Sequence, residues 1–223
     1  PVDAGFGAHW YDSVAFCRWL GQEMGLAETD QCYADPETLD KEQYPRDPQE
    51  PSFPRDWPLD LSKRGFRLPT ESEWEVIARS GSRTAYGYGS EVALFDRFGW
   101  FTENSGKKVH PGREKRPSVR GLFDLHGNLY EWTHDWNGDF GASPQTDPLG
   151  AKTGSGRVYR GGSSGGDAAR CRTAVRGLVT PTNRSTDSGF RLALVPSGSA
   201  GLGPAEPGAG SGTGAEGDRR REE

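Results

Sequence analysis

The run Gly121-Leu-Phe-Asp-Leu-His-Gly-Asn-Leu-Tyr-Glu-Trp132 constrains this chain more than any other feature. It sets a glycine turn, at Gly127, directly ahead of large aromatic anchors, a combination that demands ordered, partly buried loop backbone. Two more glycine-bounded blocks follow in order, Arg157-Val-Tyr-Arg-Gly-Gly-Ser163 and Gly189-Phe-Arg-Leu-Ala-Leu194. Backbone of that kind survives burial only where its amides and carbonyls find partners, so polar side chains near these turns are the first place to look for a site.

Only 32% of the 223 residues are hydrophobic, and there are 32 Gly and 16 Pro, so one loop-rich domain with additional unstructured sequence is expected. Seven Trp, seven Tyr and ten Phe must supply much of the core. A formal charge of -5 argues against nucleic acid as the main partner, and no window is long and apolar enough for a membrane span. Cys17, Cys32 and Cys171 cannot all pair with one another and match neither a zinc nor a Cys-x-x-Cys spacing. Reduced structural thiols are expected, with a Cys17–Cys32 disulfide the alternative in an exported protein.

From His9 to Gly25, Trp10, Val14, Cys17, Leu20 and Met24 mark one face of a helix, with Asp12 in its first turn and Gly25 at its stop. Residues 34–60 are rich in Pro, Asp and Glu and read as an irregular surface insertion. A short strand, Gly65-Phe-Arg-Leu68, leads into Thr70 and Glu73, which have capping-box spacing for a helix to about Ser80. Capping and solvation account for Glu71, Glu73 and Glu75 without an acid/base role. From Ser197 the composition is that of a flexible tail.

Together with Arg67-Leu-Pro-Thr-Glu-Ser-Glu-Trp74, the three blocks resemble the formylglycine-generating enzyme (sulfatase-modifying factor) family. That resemblance implies an α+β, loop-rich variant of the C-type lectin fold, with two helices packed on short antiparallel sheets. The domain is read as residues 1–196, incomplete at its N-terminus, followed by the tail at 197–223. The family's turn at this place contributes to a structural calcium site, so the resemblance implies Asn128 and Glu131 as Ca²⁺ ligands, with a carbonyl from the His126 to Leu129 turn and Asn104 as a further candidate; an all-oxygen shell suits that ion.

Active members of the family bind Cu(I) through two cysteines between Gly-Gly-Ser and an Ala-x-Arg block. Here Gly161-Gly-Ser-Ser-Gly-Gly-Asp-Ala-Ala-Arg-Cys-Arg-Thr-Ala-Val-Arg176 holds Cys171 alone. One thiolate does not make a two-sulfur copper site, so Cu(I) is not expected. Cys171 would be catalytic only if the chain were nonetheless an oxidase of a sulfatase cysteine. The expected role is a non-catalytic module binding a protein, peptide or glycan, with Ser164, Asp167, Arg170, Arg172, Arg176 and Asp187 as candidate surface residues.

Variable proteins of diversity-generating retroelements share this lectin-like fold and end in a similar Gly-Gly-Ser to Gly-Phe-Arg region. Their surface positions derive from asparagine-type codons altered at adenines. Gly165, Gly166, Asp167, Arg170, Val175, Gly177, Thr180, Ser185, Thr186 and Asp187 all belong to the amino acids reachable that way.

Overall fold

Helix α1 (Trp10–Glu23) starts at a reciprocal cap: the His9 Nδ1 accepts from the Asp12 amide at 3.0 Å, and the Asp12 carboxylate accepts from the His9 amide. It stops at Gly25, whose φ of 75° side-chain-bearing residues rarely adopt. The computed structural model describes residues 7–141 and 143–194, so the expected tail beyond Ser197 lies outside the described residues. Trp10, Tyr11, Val14 and Cys17 point from α1 into a core shared with Tyr33, Trp57, Leu68 and Trp132.

Strand β1 (Phe66–Arg67) runs into helix α2 (Glu71–Arg79), whose capping box joins Thr70 and Glu73 as the sequence spacing implies. The α2 carboxylates are not merely solvated. Glu73 pairs with Arg67 at 2.6 and 2.7 Å, while Glu71 is buried and held by Arg176 at 2.6 and 2.7 Å. Asp135 caps α2 from across the core, its Oδ2 accepting from the Glu71 amide at 2.7 Å.

The three glycine-bounded blocks become neighbours in one sheet. Strands β2 (Tyr130–Trp136), β3 (Arg157–Arg160), β4 (Gly177–Val179) and β5 (Ser188–Phe190) are ordered β4-β3-β2-β5. Pairing is antiparallel except between β2 and β5, which run parallel. Strand β6 (Ala193–Leu194) returns to pair antiparallel with β1. Opposite Trp132 lie Tyr159 on one side and Phe190 on the other, so each block places an aromatic in the same row.

Residues 34–60 contain no helix or strand, as expected, yet they are not only a surface excursion. Phe53 stacks on Tyr11 with ring centroids 5.7 Å apart, and on Trp57 at 5.4 Å; Trp57 is buried, its indole N–H donating to the Ala34 carbonyl at 2.8 Å. Arg157 is the other unexpected core member. Its guanidinium lies between Trp10 and Trp136, 3.8 and 3.6 Å from their ring centroids, and donates to the His134 carbonyl and Asp56.

Candidate functional site

Gly127 makes the turn that starts β2. Its φ is 78°, and a Cβ there would lie 2.0 Å from the Trp100 carbonyl oxygen, so no other residue fits. The turn presses Asn128 against the 100–110 loop, where its Oδ1 accepts from the His110 amide at 2.9 Å and its Nδ2 donates to the His110 carbonyl at 3.0 Å. Glu131, three residues on, is held by other partners. It accepts from the Trp74 indole at 2.6 Å and from Arg191 Nε at 2.5 Å, and its second oxygen takes Arg191 Nη2.

Asn104 accepts from the Phe101 amide at 2.8 Å and donates to Asp96 and the Gly99 carbonyl. All three residues implied as calcium ligands therefore have their side-chain oxygens on protein donors, and one of those donors is a cation. A Ca²⁺ shell needs six to eight free oxygens, so this set does not fit that ion as arranged. Among the described residues no group of three or more His, Cys, Asp or Glu side chains is placed to hold a metal.

Cys171 sits at the end of a short 3-10 turn (Ala168–Cys171), fully buried beside Tyr86, Phe95 and Phe101. Burial pushes its thiol up to about 12, so it is protonated at neutral pH. Cys17 belongs to the α1 core, and Cys32 donates to the Gly65 carbonyl at 3.1 Å; all three thiols are free and buried. His126 closes the Cys171 turn from below. Its Nδ1 donates to the Cys171 carbonyl at 3.0 Å and its Nε2 accepts from the Gly87 amide at 3.2 Å, a pairing that requires the neutral ring.

Desolvation lowers the His126 pKa to about 4. A histidine whose folded pKa lies below its unfolded value stabilises the fold above about 6.5, and the contribution drains away as pH falls toward 4. Urea unfolding of a His126→Gln variant beside the parent checks this. The parent should lose up to about 3 kcal/mol from this residue between pH 7 and pH 4, and the variant should lack that portion.

Between β3 and β5 the chain alternates inward and outward positions. Ser163, Ser164, Gly166, Ala168, Cys171 and Thr173 are buried, whereas Gly165, Asp167, Ala169, Arg170, Arg172 and Ala174 are exposed. Of the residues singled out from sequence, Asp167, Arg170 and Arg172 share this outer row. Asp167 caps the 3-10 turn, accepting from the Arg170 amide at 2.9 Å. Ser164 lies inside, its carbonyl taking the Ser105 hydroxyl at 2.7 Å. Arg176 is committed to Glu71 and the Gly138 carbonyl, with Phe140 over its guanidinium at 4.2 Å.

Asp187 stands at the far edge of this face, accepting from the Ser163 hydroxyl at 3.3 Å and from Ser185. It borders a cavity of about 240 Å³ together with Tyr130, Tyr159, Val179, Asn183 and Ser188. The two tyrosine rings meet edge to face at 4.3 Å. Sequence reasoning did not find Tyr130 and Tyr159. Both are partly buried on the sheet face that carries Trp132, and no alternation marks them, since β2 is buried from Glu131 to Trp136.

The sulfatase-modifying factor enzyme 1-like domain matches residues 6–195. The chain is 38% identical over 146 residues to a formylglycine-generating enzyme of Streptomyces coelicolor, covering 58% of this chain and 46% of that protein. It is 36% identical to the formylglycine-generating enzyme of Thermomonospora curvata, covering 59% and 50%. The chain thus spans about half the length of these curated relatives. In three dimensions it resembles Treponema denticola variable protein 1, with a TM-score of 0.74 and 35% identity over 86% of this chain and 70% of that one.

Proposed function

This chain belongs to the sulfatase-modifying factor enzyme 1-like family, and we propose that within it the domain is a non-catalytic module. It binds a protein, peptide or glycan through the exposed positions of residues 163–188. One observation carries this reading: Cys171, the single thiol in the family's copper-binding interval, is buried, protonated and packed in a different core cluster from Cys17. A soft Cu(I) ion needs two thiolates that can converge. The rigid frame under the outer row, from the Arg176–Glu71 clamp to the His126 bridge, suits a surface that presents side chains without moving.

Copper competition tests it. Titrated against a chromogenic Cu(I) chelator, the reduced protein should leave the chelator's colour unchanged. Withdrawal of one equivalent of Cu(I), lost in Cys171→Ala, would overturn the reading in favour of a formylglycine-generating oxidoreductase.

A second reading specialises the first. The likeness to Treponema denticola variable protein 1 favours a variable binding protein of a diversity-generating retroelement. Of the ten positions reachable from adenine-altered asparagine codons, all but Gly166 are exposed or partly exposed. Substitution at such positions leaves a core intact while changing what the surface fits. A nearby DNA near-repeat differing only at adenines, beside a reverse-transcriptase gene, is the expected finding, and its absence discards this reading.

A further inference from the structure

The cavity of about 240 Å³ at the far edge of the 163–188 face is lined by one carboxylate and two electron-rich rings, with no cation among its lining residues. The strand register builds it. Tyr159 lies opposite Trp132, Tyr130 is two residues from Trp132, and Val179 is opposite Arg157, two residues from Tyr159, so all three side chains leave the same face of the sheet. The 183–188 segment supplies the rest. Ser188 sits beside Tyr130 in the β2–β5 register, and Asp187 is held in place by the Ser163 and Ser185 hydroxyls.

Asp187 keeps acceptor capacity and lacks a counterion. Each of its oxygens accepts one hydroxyl, which leaves each a second lone pair. Among the described residues no Lys, Arg or His comes within 4.0 Å of it. Arg184, between Asn183 and Ser185 in the chain, is turned to Asp12 and His9. Arg170 is close enough to act on both tyrosines, but it is exposed and lines no part of the cavity. Burial, and after it the Asp187 carboxylate, raise the Tyr159 hydroxyl above its usual value, with Arg170 opposing less strongly. At Tyr130, where burial again leads, Arg170 outweighs Asp187. The negative end of the cavity is therefore the Tyr159 side, where β4 also brings Val179.

An anion entering here would face Asp187. A neutral sugar uses the hydroxyls and Asn183 and leaves the carboxylate without a counterion. A cation on an alkyl stem meets every group, its charge on Asp187 and the rings and its methylenes along Val179. The volume suits one side chain and falls short of a drug-sized ligand. We propose that this cavity takes a lysine or arginine side chain of a protein partner, its cationic head beside Asp187 and Tyr159. The assignment rests on the non-catalytic reading of residues 163–188 and names what that face binds; copper titration decides that reading, whereas the charge of the ligand decides this one.

The probes are the N-acetyl methylamides of L-lysine and L-arginine, with those of L-norleucine and L-glutamate as neutral and anionic controls and methyl α-D-mannoside and methyl β-D-galactoside as sugars. Each is titrated into protein carrying ¹³C-labelled tyrosine, and the ring signals of Tyr130 and Tyr159, assigned through Tyr130→Phe and Tyr159→Phe, are followed by NMR. At least one basic probe should shift both signals saturably, with a Kd on the order of millimolar. The norleucine and glutamate probes should bind at least about tenfold more weakly, the loss expected for one charge-assisted hydrogen bond. Asp187→Asn, which keeps the size of the side chain and an acceptor for a serine hydroxyl, should weaken the basic probe by a similar factor. Arg170→Ala should leave its binding equal or tighter, because a like charge is removed. The stronger of the two basic probes identifies the partner's residue. The proposal is overturned if neither basic probe shifts the two rings, if the norleucine probe binds equally, if a sugar or the glutamate probe binds more tightly, if Asp187→Asn leaves the affinity unchanged, or if Arg170→Ala weakens it.

Discussion

Glu131→Ala is expected to destabilise the fold by about 3–5 kcal/mol, the usual cost of removing one member of a buried ion pair. Arg191 would lose both of its carboxylate contacts and keep only the Phe123 carbonyl at 3.2 Å, while the Trp74 indole N–H would be orphaned beside it. Glu131 lies in the centre of the sheet, opposite Arg160 on β3 and Gly189 on β5, so the strand rows hold its backbone in place beside Arg191. Chemical denaturation of the variant at pH 7 measures the loss. The same experiment on the parent, with calcium or with a chelator, should give overlapping curves, since the oxygens that would hold the ion are taken by Arg191, Trp74 and His110. A loss below about 1 kcal/mol for the variant would mean that the pair behaves as a surface bridge.

Asp135→Asn is expected to act in the opposite direction, stabilising the protein at pH 8 by up to about 4 kcal/mol. Desolvation raises the Asp135 pKa to about 7, opposed by the Glu71 amide that it accepts and reinforced by the Glu71 carboxylate nearby. A carboxylic acid whose folded pKa exceeds its unfolded value favours the fold while protonated, so its contribution is full near pH 4 and is lost as pH rises through 7. An Asn keeps the acceptor for the Glu71 amide and carries no charge. Parent and variant should therefore nearly coincide near pH 4, diverge as pH rises from 4 to 7, and stay a constant distance apart above that. Because His126 and His134, both lowered by burial, act with the reverse sign, the variant should also show a steeper loss of stability on acidification than the parent. A variant less stable than the parent at pH 8 would show that the charge on Asp135, facing the N-terminus of α2, is needed there.

The ordered blocks made the fold legible because each carries a constraint that few backbones satisfy. Gly127 needs a left-handed turn against Trp100, Thr70 and Glu73 need each other, and Trp132 needs a core. Local patterns of that kind can be read one segment at a time. Long-range polar pairing cannot. Nothing in the sequence ties Glu71 to Arg176 or Glu131 to Arg191, and separations of 105 and 60 residues put both pairings beyond the reach of local patterns.

The same limit applies to residues 34–60. Their proline and acidic content signals irregular backbone correctly, yet Phe53 and Trp57 are core residues held by aromatic stacking rather than by any periodic pattern. On the 163–188 face, the exposed row around Arg170 was accessible to sequence reasoning through the Gly-Gly-Ser block. Ser164 and Arg176 were not separable from it until β3 fixed which side faces out. Tyr130 and Tyr159 join that face only through the β2–β3 register.

On the proposed reading the fold keeps the family's frame without its copper chemistry, and turnover tests this. The reduced protein, loaded with one equivalent of Cu(I) in air-saturated buffer, is incubated with a Cys-x-Pro-x-Arg peptide, and aldehyde formation is followed by hydrazide trapping and mass spectrometry. The expected result is no aldehyde above that formed by free Cu(I), with the parent and Cys171→Ala indistinguishable. Repeated turnover by the parent that disappears in Cys171→Ala would contradict the account.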